Sequence, residues 1–265
     1  MLLITDLNDI PSLNRPSALT IGNFDGVHLG HQALLQHLRA KLPPEGVLTV
    51  LTFSNHPSYF FTPDSPTPLI YPPLQKVKYL FDCGADIVLL IPFTAECANT
   101  PFDAFLRRLK KQLSFSYLAF GTGAVFGQAR QGNEQRVKQL APELETEVDY
   151  LPKYQLNGSP VSSGRIRTLI TQAAFPDAQH CLGRPYSLMG RIFQEKKNHV
   201  MHFPGICFPP EGTYPIHLKT STQTYLGKAH ISPQSDHIQL DLLNAKIPLV
   251  GKEAEIIFSG DSRVK

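Results

Sequence analysis

Residues 22–31, which read Gly-Asn-Phe-Asp-Gly-Val-His-Leu-Gly-His, constrain the fold of this chain more than any other segment. The apolar run at 18–21 predicts a strand before them, and residues 32–41 predict a helix after them. A strand, a glycine-bearing loop and a helix N-terminus form a geometry that binds phosphate, because backbone N–H groups and the helix dipole favour an anion there. The segment therefore predicts a phosphate site on an α/β fold.

Two histidines lie three residues apart at the start of the predicted helix. His28 and His31 share one helical turn, and imidazoles can donate hydrogen bonds to phosphate oxygens. Gly30 lies between them and leaves room for a nucleotide. The alternatives are two surface histidines or a metal pair that lacks a third ligand. The glycine-bearing loop directly upstream favours the phosphate interpretation.

Composition narrows the class of protein. The chain has 265 residues, with 25 basic and 22 acidic side chains and a net charge of +3, which is too mild to indicate a nucleic-acid surface. No apolar stretch reaches the length of a membrane span, and Asp6 comes too early for a signal peptide. The four cysteines form no C-x-x-C pair, which is typical of thiols in a reducing compartment. We expect a cytoplasmic protein; the sequence leaves its oligomeric state open.

Residues 1–182 alternate between strand-like and helix-like stretches. Strands are predicted at 18–21, 47–53, 86–92, 117–120 and 147–151. Thr100 and Pro101 predict a helix start, with Thr100 as the N-cap. The apolar stripe that follows is expected to face the core; it consists of Phe102, Phe105, Leu106, Leu109 and Leu113. This alternation predicts a Rossmann-like, doubly wound parallel sheet.

The pattern changes after residue 182. Short strands are predicted at 186–193, 212–218, 223–231, 238–243 and 253–258, separated by turns that contain proline or glycine. We expect a small antiparallel β-barrel of about 80 residues, which is within the usual size range of a domain. The predicted domains are therefore 1–182 and 183–265.

Three further polar clusters follow predicted strands, where ligands of α/β sheets bind. Asn55 lies in the first, at 52–57, and the alternative there is a simple turn. The second, at 121–127, is rich in glycine, which alone is weak support for a ligand. In the third, Ser162 or Ser163 can cap a helix that carries Arg167, and the alternative is an ordinary cap with solvated arginines.

Taken in order, these motifs resemble the bacterial bifunctional riboflavin kinase/FAD synthetase family. The segments that match in sequence and spacing are 22–31, 52–57, 121–127, 162–167 and 182–190, and the resemblance covers residues 15–193 well. It implies FMN adenylyltransferase chemistry, in which FMN and ATP give FAD and pyrophosphate. It also implies Mg²⁺ that enters with ATP, with no metal ligand assigned to the protein.

The resemblance also implies roles for individual residues. The implied catalytic residues are His28, His31 and Arg167. The implied ATP-binding residues are Gly22, Phe24, Asp25, Gly26, Gly30, Ser162 and Ser163. The implied flavin-binding residues are Phe53, Asn55, Gly121 and Phe126. The expected partners are ATP and FMN, without nucleic acid or membrane.

The chain departs from the family pattern at several positions. The first domain has Gly123-Ala124 where the family has Asp-Phe, and Gly164 where it has Thr. In the barrel, the family's kinase motif has Thr and Asn where this chain has Gly205 and Cys207. The Glu that serves as the catalytic base in the family falls on Gln239.

The departures in the barrel predict an FAD synthetase that has lost riboflavin kinase activity, and those in the first domain remove groups expected to face the ligand. The alternatives are a bifunctional enzyme that uses displaced residues and a non-catalytic flavin- or nucleotide-binding protein. A cytidylyl- or adenylyltransferase that acts on another phosphate is the third; the Leu-Gly-Arg-Pro-Tyr segment at 182–186 and the barrel argue against it.

Overall fold

The computed structural model of the chain describes residues 1–232, 236–243 and 249–259. The chain divides into two compact units, each discontinuous in sequence. The first contains Met1–Thr67 and Lys76–Pro160, and the second contains Pro68–Gln75 and Val161–Lys265. The domain boundary between residues 182 and 183 stays a prediction.

The first unit is built on a parallel sheet of six strands. In chain order these are β1 (Leu2–Ile4), β2 (Ser17–Ile21), β3 (Val47–Phe53), β4 (Ile87–Ile91), β5 (Tyr117–Gly121) and β6 (Glu147–Leu151). Their order across the sheet is β1-β4-β3-β2-β5-β6. Every residue of β2, β3 and β4 is buried, as expected for strands covered on both faces.

The helices of this part of the chain are α1 (Leu29–Lys41), α2 (Ser58–Phe61), α3 (Pro73–Asp82), α4 (Ala95–Asn99), α5 (Phe102–Leu113) and α6 (Glu134–Leu140). The division between the units falls inside α3, between Gln75 and Lys76. Two 3₁₀ turns lie at Leu7–Asp9 and Gln128–Arg130, and a short hairpin joins β7 (Gln155–Leu156) to β8 (Ser159–Pro160).

The second unit continues with α7 (Ser163–Thr171) and α8 (Phe175–Leu182) and then becomes entirely β. Its strands are β9 (Ser187–Arg191), β10 (Phe193–Glu195), β11 (Asn198–His202), β12 (Gly212–Thr220), β13 (Thr224–Ile231), β14 (His237–Leu242) and β15 (Glu253–Phe258). They form a curled antiparallel sheet, a half-barrel, in the order β10-β11-β14-β13-β12-β15-β9. Three stacked rings fill its core, those of Phe175, Tyr186 and Phe258.

The predicted fold class, a Rossmann-like sheet followed by a small antiparallel barrel, is confirmed. The apolar stripe of α5 faces the core as expected, since Leu106, Leu109 and Leu113 are fully buried there. The short strands β1 and β11 were not predicted. In the described part of the chain, every helix is too short or too polar to cross a bilayer.

The prediction that Thr100 caps α5 is wrong. Thr100 is the C-cap residue of α4 instead, where its hydroxyl donates to the carbonyl of Glu96 at 2.7 Å. Pro101 occupies the position before α5 and offers no side-chain cap. The short helix α4, which the sequence pattern did not indicate, takes the threonine because its last carbonyls also need donors.

Candidate functional site

The loop between β2 and α1 has an unusual backbone. Phe24 and Val27 both have positive φ, at 47° and 39°, and Gly26 has a φ of 83°. A positive φ is rare for a β-branched residue, and such conformations persist only where the surroundings hold them. Asp25 and Val27 are buried within the loop, at 1% and 0% exposure. The predicted phosphate loop is thus a packed and strained segment, as many functional loops are.

His28 caps α1 with its own ring. Its Nδ1 accepts a hydrogen bond from the backbone N–H of His31 at 3.4 Å, so the neutral ring carries its proton on Nε2. The rings of His28 and His31 are stacked, with centroids 3.7 Å apart and planes 14° from parallel. The ring of Phe24 lies 5.0 Å from that of His31. The helix start therefore holds both imidazoles in one fixed arrangement.

Two glycines of this segment keep the rings close to the backbone. A Cβ on Gly22 would lie 3.2 Å from the Phe24 ring. A Cβ on Gly30 would lie 3.2 Å from two atoms of the His28 ring and 3.4 Å from the Cβ of Tyr154. Gly30 was predicted to leave room for a nucleotide, and this stays a prediction. In the structure, Gly30 leaves room for the His28 ring.

Lys76 supports the loop between β2 and α1 and was not predicted from the sequence. Its ammonium donates to the carbonyl of Asn23 at 3.0 Å and to the carbonyl of Phe53 at 2.6 Å. The hydroxyl of Thr52 donates to the same Asn23 carbonyl at 2.9 Å. Lys76 thereby ties the loop between β2 and α1 to the carboxyl end of β3, the edge at which ligands of α/β sheets bind.

Lys76 is 1% exposed, and burial lowers the pKa of its ammonium to about 8, with Asp25 acting in the opposite direction. The sequence does contain a signal for this lysine. Tyr79 and Leu80, at three and four residues beyond it, are both buried. A lysine on the apolar face of a helix indicates a buried cation with a specific partner.

The residues predicted to bind flavin lie near the carboxyl ends of β3 and β5. The amide of Asn55 accepts from the backbone N–H of Phe93 at 2.7 Å and donates to its carbonyl at 3.1 Å. Phe53 is buried in the core, with its ring edge-on to that of Phe93. Asn55 thus joins the segment after β3 to the segment after β4.

The glycine-rich segment after β5 is shaped largely by Phe102. A Cβ on Gly127 would lie 2.6 Å from the Cβ of Phe102, and one on Gly132 would lie 2.8 Å from the same atom. Phe126 stacks on Phe120, with centroids 5.4 Å apart. Gly121 and Gly123, by contrast, have open space where a Cβ would be. Packing therefore accounts for the two later glycines but not for the two earlier ones.

The third predicted cluster lies in the second unit, at the start of α7. Of the two serines predicted as possible caps, Ser162 is the N-cap, and its hydroxyl accepts from the N–H of Arg165 at 3.2 Å. Ser163 is the first residue of the helix. The Nε of Arg167 donates to the carbonyl of Pro68 at 2.8 Å, which fixes part of its guanidinium.

The barrel positions that depart from the family pattern have structural contacts of their own. Cys207 is buried, with its thiol 3.8 Å from the carbonyl of Arg167. The hydroxyl of Tyr186 donates to the Cys207 carbonyl at 2.9 Å. Gln239 lies on β14, where its side-chain carbonyl accepts from the amide of Asn198 at 3.1 Å.

Comparison with known proteins identifies relatives of this chain. The family model described as FAD synthetase matches residues 10–165. A bifunctional riboflavin kinase/FMN adenylyltransferase of Haemophilus influenzae is 32% identical over 74% of this chain and 65% of its own length. Two proteins of Listeria monocytogenes are each 27% identical. One is a bifunctional enzyme of the same name, matched over 95% of this chain and 83% of its own length. The other is an FAD synthetase, matched over 76% and 81%.

The chain thus spans a little under two thirds of the H. influenzae relative. Among solved structures, a macrolide-efflux protein of Streptococcus pneumoniae has the same fold, with a TM-score of 0.82 over 99% of this chain and 90% of its own. At 20% sequence identity, this likeness concerns the fold alone.

Proposed function

The chain belongs to the FAD synthetase family, and on that premise we propose that it transfers AMP from ATP to FMN, giving FAD and pyrophosphate. The observation that supports this most is the stacked pair of His28 and His31 at the N-terminus of α1. A helix N-terminus with two imidazole donors suits a polyphosphate, because both the dipole and the donors favour negative charge.

In the proposed reaction, a phosphate oxygen of FMN attacks the α-phosphorus of ATP in line. A new P–O bond forms, the bond between the α-phosphorus and the oxygen of the leaving group breaks, and pyrophosphate departs. Such a transfer needs positioning and charge stabilisation rather than a covalent protein intermediate. The Nε2–H of His28 and the ring of His31 would donate to phosphate oxygens whose charge grows as the bond breaks. Mg²⁺ would enter with ATP and bind chiefly to the phosphates.

The remaining roles are part of the same proposal. Ser162, Ser163 and Arg167 would hold the β- and γ-phosphates at the second helix start. Phe53, Asn55, Gly121 and Phe126 would border the flavin. Because both ends of its amide bond to Phe93, Asn55 would act by holding the two segments that meet there.

We further propose that the barrel does not phosphorylate riboflavin. Glutamine at 239 cannot accept the proton of the riboflavin hydroxyl, and loss of a positioned base typically costs about 10²–10⁴ in rate. Cys207, in place of an asparagine, is buried and contacts the backbone of Arg167. A bifunctional enzyme is the second candidate, since the bifunctional Listeria relative aligns with 95% of this chain.

A chromatographic assay of the full chain with ATP and Mg²⁺, supplied with either riboflavin or FMN, tests both statements. We expect FAD from FMN and no product from riboflavin. FMN or FAD from riboflavin would support the bifunctional candidate. No product from either substrate, with nucleotide binding retained, would instead indicate a non-catalytic binding protein.

We also place the protein in the cytoplasm. The four cysteines, all within the described residues, form no disulfide, which suits a reducing compartment. The proposed substrates, ATP and FMN, are intracellular metabolites, and the proposal involves neither nucleic acid nor a membrane.

A further inference from the structure

The half-barrel carries a cluster of side chains that the proposed reaction does not use. Pairing of β11 with β14 places His202 directly opposite His237. Asp236 precedes His237 in the chain, and its carbonyl accepts from the N–H of Phe203 at 2.6 Å. The backbone therefore fixes all three residues at one end of the same strand pair.

The potential ligand atoms of these three side chains converge. Each side chain offers one nitrogen or oxygen, and these atoms all lie within 4.8 Å of one another. The Nδ1 of His202 lies 3.8 Å from Oδ1 of Asp236, and the Nδ1 of His237 lies 3.6 Å from the same oxygen. Ligand atoms of a tetrahedral zinc ion, at about 2.0–2.1 Å from the metal, are about 3.3 Å apart. Small side-chain rotations would therefore close the triad around an ion.

A fourth side chain orients one of the histidines. Glu195, at the end of β10, lies 2.9 Å from the Nε2 of His202. When Nε2 donates to this carboxylate, the neutral ring presents its lone pair at Nδ1, the atom that faces Asp236. A carboxylate behind a ligating histidine is the usual outer partner of a metal site.

We propose that His202, Asp236 and His237 bind one divalent transition-metal ion, with Zn²⁺ as the best fit, and that Glu195 orients His202. Two imidazoles and one carboxylate suit zinc, whereas Mg²⁺ prefers an all-oxygen shell. Three protein ligands leave a fourth position for water. The ion would tie the end of β11 to the start of β14. This site is independent of adenylyl transfer.

Calorimetric titration of the full chain with ZnCl₂, without nucleotide, tests the proposal. We expect one zinc site per chain that an excess of MgCl₂ does not displace. His202→Gln and His237→Gln should each weaken zinc binding at this site at least 100-fold. Glu195→Gln should weaken it about 10–100-fold, since it removes only the outer partner. His217→Gln is the matched control, because His217 is an exposed histidine of the same sheet outside the cluster.

Thermal melting of each metal-free variant checks that it is folded, and Asp236→Asn supplies a near-isosteric alternative if a histidine variant does not fold. The proposal is overturned if the wild-type chain binds no zinc, or if the cluster variants bind it as the wild type does. It is also overturned if His217→Gln loses as much affinity as they do. In those cases the cluster is a group of side chains that contact one another and hold no metal ion.

Discussion

The loop at 22–31 and the barrel segments around Cys207 and Gln239 use their side chains in opposite ways. In the first, strained backbone, a buried lysine and two glycines all serve to hold two imidazoles in place. In the second, Cys207 is buried and the Gln239 amide bonds to Asn198, so the contacts at these positions belong to the protein's own packing. Strain and buried charge of this kind are typical of functional sites, which supports the role proposed for this loop.

The largest expected effect concerns the two imidazoles of the loop at 22–31. His28→Ala and His31→Ala should each lower the rate of FAD formation from FMN about 10²–10³-fold, because each removes a donor from the growing phosphate charge. The measurement is kcat for FAD formation, with ATP affinity determined separately by titration. His180→Ala removes an exposed histidine of α8 and should leave kcat unchanged. A loss of ATP affinity with kcat unchanged would argue that the two histidines bind the nucleotide without stabilising the transition state.

A second pair of variants asks whether the glycine-rich segment after β5 serves packing. Gly127→Ala should lower the free energy of unfolding by about 2–4 kcal/mol, because its φ is 71° and its new Cβ would press on Phe102. Gly123→Ala should cost only about 1–2 kcal/mol, since its φ is 85° but nothing lies within 4 Å of the new Cβ. Denaturant unfolding measures both, and equal losses would contradict the packing explanation.

The buried Lys76 should make the free energy of unfolding depend on pH. The native chain holds this proton with a pKa of about 8 and the unfolded chain with the ordinary 10.5, so between these values the unfolded chain binds more protons. The free energy of unfolding therefore rises with pH through this window. Relative to Lys76→Met, the wild-type chain should gain about 2.5 kcal/mol between pH 7 and 10.

Denaturant unfolding at several pH values measures this gain. Lys78→Met is the matched control, because Lys78 is an exposed lysine of the same helix. Parallel profiles for the wild type and Lys76→Met would show that burial does not shift the pKa of Lys76.

The smallest expected effect compares a glycine at the start of α1 with one at the start of α7. Gly30→Ala should lower kcat about tenfold, because its Cβ would press on the His28 ring and turn it from the phosphates. Its helix propensity rises by up to about 1 kcal/mol, so stability should change little. Gly164→Ala meets no atom closer than the Ser162 hydroxyl at 4.0 Å and should leave kcat unchanged while it stabilises α7. If Gly30→Ala lowers the free energy of unfolding and leaves kcat unchanged, the glycine has a purely structural role.

Much of the fold was accessible from the sequence because its signals are local. The unbroken apolar runs of β3 and β4 predict buried parallel strands, and the limits of β3, β6 and β15 were predicted to the residue. The strand β11 was missed because Asn198–His202 is polar and short, and it forms by pairing with β14. The cap at Thr100 was wrong because a neighbouring helix used the same residue.

The sequence by itself determined the fold class and the candidate phosphate loop, since strand periodicity and a glycine-bearing turn before a helix are properties of adjacent residues. Only the tertiary structure decided which side chains hold that loop and which histidines lie together in the half-barrel. Lys76 reaches Asn23 across the fold, and His202 meets His237 through strand pairing. Contacts between residues distant in the chain depend on how elements pack, and no local pattern encodes which partner a buried lysine or a cross-strand histidine will find.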